Sequence, residues 1–559
     1  MNRIVSISRR RGKLYGAVAA ILTAASLLAA CTTSPNTGSG GELAITGYRN
    51  TATVVVFQDL ASIDPAQGVD QNSANALNNI YEGLYRLDPT NAPIPAGALE
   101  LPEVSADGLT YTIRLNPAAM WSDGTPVTAH DYVFSWVRGV GLPNAAEQQR
   151  TVGFVKNAAA IVAGDMAPET LGVVALDDHT LEITLEAPTA FFPSLLATPA
   201  FFPVPQHFVE YVGDNFGTTS EYVLSNGPFI LTGFSGAGIG GDWTYVRNPY
   251  YWNVENVSLE QVNVRVVRET STAINLFNAG EVDQVSISGP QVQQFLNSPS
   301  FVVDTTSTVG FLGYNHNHPV LSDQRAREAI SLSIDRESLT ALVLNDGSAP
   351  ATGLVPPALA ASPAGVDFAD ESVNLLQFDP ERAAELWAQV RADHGFDTLT
   401  LNLETFDADR IATVAEYLQA ALQDSLAGLT VTVTTNPVAV FIDKATLQQF
   451  DLYLPTWAAS FPDPSNHLSL FRTGEGSNWG LYSNPAFDAL LNSAQGANSA
   501  NPGARWNDLL AAQQLLLEDQ GVTPIYFQPS TVLRNPDLRG VEFRTSGPTF
   551  FFGNAYWAN

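Results

Sequence analysis

Leu109-Thr110-Tyr111-Thr112-Ile113-Arg114-Leu115, followed by Asp123-Gly124-Thr125-Pro126-Val127-Thr128-Ala129-His130-Asp131-Tyr132-Val133-Phe134-Ser135-Trp136-Val137, spells a strand, a turn and a helix in that order. Leu109, Tyr111, Ile113 and Leu115 alternate with polar residues, so they share one face of a half-buried strand. In Asp123-Gly124-Thr125-Pro126 the glycine supplies the positive φ of a turn. Thr128 and Asp131 have capping-box spacing, and Ala129, Val133, Trp136 and Val137 recur at helical intervals after it. Strand joined to helix by a tight turn is the unit of an α/β fold.

The same grammar extends in both directions. Thr53-Val54-Val55-Val56-Phe57 is a continuous apolar run, as expected of a strand covered on both faces. Leu181, Ile183 and Leu185 alternate as Leu109 to Leu115 do. Asp379-Pro380 starts a helix whose buried stripe is Ala383, Trp387 and Val390, and Leu429, Val431 and Val433 resume a strand period. No repeat of fixed period appears. With 559 residues, 45% of them hydrophobic and 15% charged, the chain can bury large cores in more than one domain.

The amino terminus sets the compartment. Arg3, Arg9, Arg10, Arg11 and Lys13 precede an uncharged apolar run from Leu14 to Ala30, the layout of a secretory signal. The run closes on Leu28-Ala29-Ala30-Cys31, which resembles the bacterial lipobox, where cleavage before the cysteine is coupled to lipidation of its thiol. Cys31 is the only cysteine, so the exported protein has no disulfide. Ser8-Arg9-Arg10-Arg11 leaves the general and twin-arginine export routes both open. Residues 32–41 read as a flexible tether. No second apolar stretch approaches the roughly 20 residues that span a bilayer, so the lipid is the expected membrane anchor. Removing residues 1–31 takes away five positive and no negative charges, moving the net charge from -30 to -35 and disfavouring nucleic acid as a partner.

Tyr81-Glu82-Gly83-Leu84-Tyr85, Asp107-Gly108-Leu109-Thr110-Tyr111-Thr112 and the Trp121 to Phe134 block resemble the amino-terminal signature of the extracellular solute-binding family, family 5, that includes oligopeptide-, dipeptide- and nickel-binding proteins of importers. Ser225-Asn226-Gly227-Pro228-Phe229, Asn248-Pro249-Tyr250-Tyr251-Trp252, Gly280-Glu281-Val282-Asp283, Arg327 to Arg336, Val355-Pro356-Pro357, Trp457 to Pro464 and Tyr482 to Asp488 continue the resemblance in collinear order. Most of these blocks also read as scaffold: turns, and aromatics that pack in a core.

The resemblance implies a two-lobed α/β clamp of the periplasmic-binding-protein type (class II, large) with an inserted α/β subdomain. Lobe I is expected at 42–77, 186–284 and 531–559, the insert at 78–185, and lobe II at 285–530, with two crossing strands as hinge. The expected protein is a monomer without cofactor that closes on a peptide or peptide-sized solute and delivers it to the permease subunits and ATPases of an ABC importer. Gly68, Val69, Asp70, Ser225, Asn226, Gly227, Glu281, Tyr314, Leu454, Trp457, Ala458, Ser460 and Asp463 are the expected ligand-binding residues, with main-chain groups around Ala458 pairing with a peptide backbone.

Two rival classes stand beside it: a secreted hydrolase, and a ligand-sensing receptor of the same fold without its own importer. The histidines fall in no HExxH, and the chain has no GxSxG. His316 and His318 share a strand face, as a pair of metal ligands could, but lie where the family has an ordinary strand. Gly236 to Gly241 matches GxGxxG but runs into a strand rather than a helix, so it reads as a glycine-rich hairpin.

One position departs from the family. Peptide-binding relatives carry an aspartate, which holds the peptide's terminal ammonium, where this chain has Ser460, and Leu454 replaces an arginine of some oligopeptide binders. Either Asp463, Glu404 or Asp70 takes over the charge, or the ligand has no free amino group there. The second is favoured, pointing to N-blocked or cyclic peptides or a neutral peptide-sized or sugar-like solute.

Overall fold

The apolar runs pair into one large mixed sheet. A computed structural model describes residues 49–67, 70–143 and 145–558; the signal segment, Cys31, the tether at 32–41, Gly68 and Val69 lie outside them. In chain order the strands are β1 (Thr51–Val56), β2 (Phe229–Thr232), β3 (Trp243–Arg247), β4 (Gln261–Val266), β5 (Gln284–Ile287), β6 (Phe301–Tyr314), β7 (Leu399–Phe406), β8 (Leu429–Asn436), β9 (Leu452–Leu454), β10 (Thr456–Ala458) and β11 (Thr523–Arg534). Across the sheet the order is β8-β7-β9-β6-β11-β5-β1-β4-β3-β2, with β10 beside β6 and the short strand Ala349–Pro350 beside β11. β1 is parallel to both β4 and β5, and Val54 and Val55 on opposite faces are both buried, which is why its sequence is a continuous apolar run. β7 repeats the arrangement, parallel to β8 and β9.

β6 and β11 run antiparallel through both halves of the molecule. Phe301 to Thr305 pairs with Leu533 to Pro529 next to β5, whereas Gly313 and Tyr314 pair with Tyr453 and Leu452 of β9. Between these stretches the register shifts twice, from Thr305 to Val309 and from Gly310 to Phe311. Extra residues in a ladder bend the strand and increase its twist, so β6 is bent at these shifts. The boundary expected at 285 lies inside β5, which pairs with β1 and β11 in the first half. The strand register puts the passage farther along, within β6.

The inserted segment has its own antiparallel sheet, ordered Glu103–Val104, Thr110–Arg114, Thr180–Thr184, Val173–Asp177. Two helices position the site and the insert: α1 (Gln71–Ile80) and α2 (Ala129–Gly141). At the start of α2 the Asp131 carboxylate accepts the Thr128 N–H at 2.9 Å, the reciprocal half of the box read from the sequence. Trp136 of α2 is fully buried and donates to the Phe201 carbonyl at 3.0 Å. Trp121, Tyr132 and Trp136 of the insert share one hydrophobic core with Val54 and Val262 of the main sheet, so insert and first half pack as one body. Asp379 caps Pro380–His394 by accepting the Arg382 N–H at 2.9 Å, and Ala383, Trp387 and Val390 are buried as the stripe predicts. The glycines at 236, 238, 240 and 241 take positive φ in the connection between β2 and β3, a hairpin with no helix terminus to receive phosphate.

Candidate ligand-binding site

A cavity of about 350 Å³ opens where four distant stretches meet. Asp70 and Gln71 at the head of α1 form one wall, Phe154 and Leu195 a second, Ala458 to Phe461 a third, and Gly547-Pro548 a fourth. The first position of α1 falls there because Asp70 is its cap: Oδ1 accepts the Ser73 N–H at 2.9 Å. The third wall is β10 and its exit. Ala458 pairs with Thr308 and Thr456 with Gly310, so β10 is bonded to β6 along one edge, and no other strand pairs with it among the described residues. Ala458 and Ser460 are exposed between the buried Ala459 and its neighbours.

Among the described lining residues Asp70 is the single ionisable one. A second cavity, also of about 350 Å³, meets the first at Gln71 and extends over the sheet to Thr306 of β6 and Gln528 and Ser530 of β11. Its described lining is uncharged and includes Asn72, Asn75 and Asn79 together with the aromatic Phe57, Trp243 and Tyr245.

Of the expected ligand-binding residues, the fold gathers Asp70, Ala458 and Ser460 around the first cavity. Gly68 and Val69 lie outside the described residues. The others sit elsewhere, each for a physical reason. Asn226 is buried and clamps the Glu82 backbone, accepting from its N–H at 3.0 Å and donating to its carbonyl at 2.8 Å. Ser225 is fully buried beside it, its N–H bonded to the Ser122 hydroxyl, and Gly227 lets the chain pass against Ile80 and Tyr81, where a Cβ would come within 2.8 Å of both backbones. Glu281 is exposed and faces Arg265 at 3.6 Å. Tyr314 is a core residue whose hydroxyl meets Thr523 Oγ1 at 2.5 Å, and Leu454 is fully buried in the same cluster. Trp457 is half-buried and donates to Asn466 Oδ1 at 3.2 Å. Asp463 is paired with Arg505 through both oxygens. Gln71, Phe154, Leu195, Phe461 and Pro548 carry no local signal in the sequence; their common place comes from tertiary packing alone.

The histidine pair offers no metal site. His316 is half-buried and bonds through Nε2 to the Gly521 carbonyl at 3.1 Å, while His318 Nδ1 accepts the N–H groups of Val320 and Leu321. Among the described residues no group of three or more His, Cys, Asp or Glu is placed to hold a metal ion. No described helix is long and apolar enough to cross a membrane. His467, fully buried beside the site loop, bonds through Nε2 to the Ser307 carbonyl at 2.9 Å, inside the first register shift of β6. Burial holds its pKa down to about 4, so the ring is neutral.

Residues 92–479 match the model of the bacterial extracellular solute-binding proteins, family 5 middle region. The chain belongs to that family. A dipeptide-binding protein of Lactococcus lactis subsp. cremoris is 30% identical over 89% of this chain and 92% of its own. The structure of Listeria monocytogenes OppA bound to peptide superposes on this family 5 protein with a TM-score of 0.70 at 34% identity, covering 91% of this chain and 99% of its own. The unliganded open form of MppA, a periplasmic murein tripeptide binding protein, superposes with a TM-score of 0.77 at 26% identity, covering 91% and 97%. The two-lobed clamp read from the sequence is the fold of these relatives, and the enzyme reading falls with membership in a family of binding proteins.

Proposed function

We propose that this protein is the substrate-binding lipoprotein of an ABC importer, capturing a peptide or peptide-sized solute between its lobes and handing it to membrane permease subunits driven by their ATPases. The observation that carries the reading is the one-sided pairing of β10 on the wall of the first cavity. An extended peptide laid along Thr456–Ala458 takes the free edge as an added strand, so main-chain groups supply affinity and the cavities accept side chains. β6 and β11 connect the lobes and also border the second cavity, so a ligand resting there touches the strands that must bend on closure. The relative that binds dipeptide and the peptide-bound structure support the same ligand class. The ligand-binding residues of this reading are Asp70, Gln71, Ala458, Ser460 and Phe461. Export and diacylation at Cys31 would keep the protein, as a monomer, at the outer face of the cytoplasmic membrane.

The test is native mass spectrometry of protein purified without denaturation, followed by scattering and thermal melts with the ligand it releases. A bound peptide, a smaller radius of gyration and a raised Tm are expected, since a ligand that binds only the folded form stabilises it. Tight binding with unchanged dimensions would sink the clamp reading. For the anchor, Cys31→Ser should free the protein from membranes or leave its signal uncleaved.

A further inference from the structure

We infer that Phe191 and Asn91 are positioning residues that latch the first half of the clamp to the second through protein groups alone, drawing the cleft toward closure before a ligand completes it. This rests on the clamp reading above. Phe191 follows the insert and touches one wall of the first cavity from each half. Its ring meets Phe154 edge-on with centroids 5.4 Å apart and stacks on Phe461 at 4.4 Å, the planes 9° apart. Phe154 lines the cavity from the insert and Phe461 from the exit of β10. Among the described residues between 315 and 530, Phe461 is the one hydrophobic side chain packed against the core of the first half.

The second contact lies at the tip of the hairpin formed by Tyr85–Leu87 and Pro93–Pro95. Asn91 is 6% exposed, and its amide donates to the carbonyls of Ala358 at 2.6 Å and Leu359 at 3.2 Å. Leu359 belongs to a core of the second half. Both facing residues hold left-handed backbone, with φ 63° at Asn91 and 58° at Ala358. Alanine has no polar side chain to offset that strain, so its neighbours must hold it in place. They come from both halves: the Ala358 N–H donates to Asp367 Oδ2 at 2.6 Å, and its carbonyl accepts from Asn91. Every group in these contacts belongs to the chain, so they favour the closed arrangement with or without ligand. A larger closed fraction raises the apparent affinity in proportion.

The test compares wild type with Phe191→Ala, Asn91→Asp and the double variant. Neither residue lines the first or the second cavity. Aspartate tolerates left-handed backbone as asparagine does, so Asn91→Asp keeps the hairpin tip while turning a donor that faces two carbonyls into an acceptor. In small-angle scattering of protein refolded from denaturant to remove retained solute, each variant should show a larger radius of gyration than wild type, the double variant the largest. Phe191→Tyr, which keeps the stacked ring, should match wild type. The probes for the bound state are pooled tetra- to hexapeptides of Ala, Phe, Leu, Ser and Gly. Peptides that wild type retains should bind Phe191→Ala about two- to tenfold more weakly, the worth of an aromatic pair, and should return every variant to the wild-type bound radius. Radii enlarged equally with and without peptide would mean a loosened core instead of a lost latch. Equal ligand-free radii for wild type and a folded double variant would overturn the latch while leaving the peptide reading intact, and Asn91→Asp alone carries that comparison if the double variant does not fold. If wild type retains no peptide, the peptide reading falls, and the ligand-free radii still decide the latch.

Discussion

The Asp463 carboxylate meets the Arg505 guanidinium through two parallel bonds, Oδ2 to Nη1 at 2.8 Å and Oδ1 to Nη2 at 2.7 Å, with both side chains 8% exposed. Asp463 also accepts the Ser465 N–H and hydroxyl, so a single carboxylate fixes the turn after the cavity wall Ala458 to Phe461. Phe461 in turn stacks on Phe191 with centroids 4.4 Å apart, and the Arg505 guanidinium lies over the same Phe191 ring. The pair thus supports the site from behind without touching the cavity.

Breaking this pair leaves a buried charge without its partner, which destabilises by about 3–5 kcal/mol. Arg505→Ala and Asp463→Ala should each lower the urea midpoint accordingly. Affinity measured on the folded fraction should change little; a large affinity loss at undiminished stability would return Asp463 to the ligand.

Glycines on β6 make a second prediction. A Cβ at Gly310 would stand 2.3 Å from the ring of Tyr526, which is fully buried on β11, and one at Gly313 would stand 2.1 Å from the Tyr453 ring. Neither ring has room to withdraw, so Gly310→Ala and Gly313→Ala should cost about 1–3 kcal/mol as overpacking. Gly476, where a Cβ meets nothing within 4 Å, is the control, and Gly476→Ala should be neutral or slightly stabilising. Equal stabilities in chemical denaturation for Gly310→Ala and Gly476→Ala would show that β6 and β11 are not held at this spacing.

The same strands explain both what the sequence discloses and what it hides. Hydrophobic period identifies β8, α2 and the helix at 380–394, each buried on the face that its period defines, and an unbroken apolar run identifies β1, which is buried on both faces. Which face of β6 looks into the cleft is not legible, since the one-residue register shift between Gly310 and Phe311 changes which side later residues face relative to β11. Tyr314, beyond that shift, lands in the core although its position along the strand suggests the cleft. The block Ser225-Asn226-Gly227 is legible as a motif, but its chemistry is close backbone approach and a clamp on Glu82. Gln71 and Pro548, almost the whole chain apart, become neighbours on one cavity only through the fold.

Acid stability offers a third test. Burial holds the pKa values of His316 and His467 down to about 4, against 6.5 for the free ring. The unfolded chain binds these protons first, so folding stability is complete above about pH 6.5 and is lost as pH falls from there to about 4. The loss is on the order of 3 kcal/mol for each ring, from about 1.4 kcal/mol per pKa unit. His467→Gln, which can still donate to the Ser307 carbonyl, should flatten that limb of the urea-midpoint profile by about half. Asp323, held at about 2 chiefly by its bonds to Arg325, acts in a separate window below its ordinary value of 3.8. A profile unchanged by His467→Gln between pH 6.5 and 4 would mean that the ring is protonated in the folded protein.

The last prediction concerns why two sequence blocks far apart in the chain occur together. Glu82, from the block at Tyr81 to Tyr85, is buried and receives two hydrogen bonds, from Tyr251 Oη at 2.5 Å and Trp252 Nε1 at 2.5 Å, both in the block Asn248 to Trp252. The carboxylate therefore ties the end of α1 to the turn after β3, in the body that carries Asp70. Burial raises the Glu82 pKa, so its contribution is greatest below the ordinary carboxylate value of 4.5 and declines as pH rises through the raised value. Glu82→Leu and Tyr251→Phe each leave donors or acceptors unmatched, at about 1–3 kcal/mol per orphaned group. Since both substitutions remove the same bond, the double variant should be less damaged than the sum, with a coupling of at least about 1 kcal/mol. The coupling is to be measured by urea denaturation of all four proteins at pH 7. Additive effects would mean that the two residues are not bonded and that the blocks occur together for some reason other than this contact.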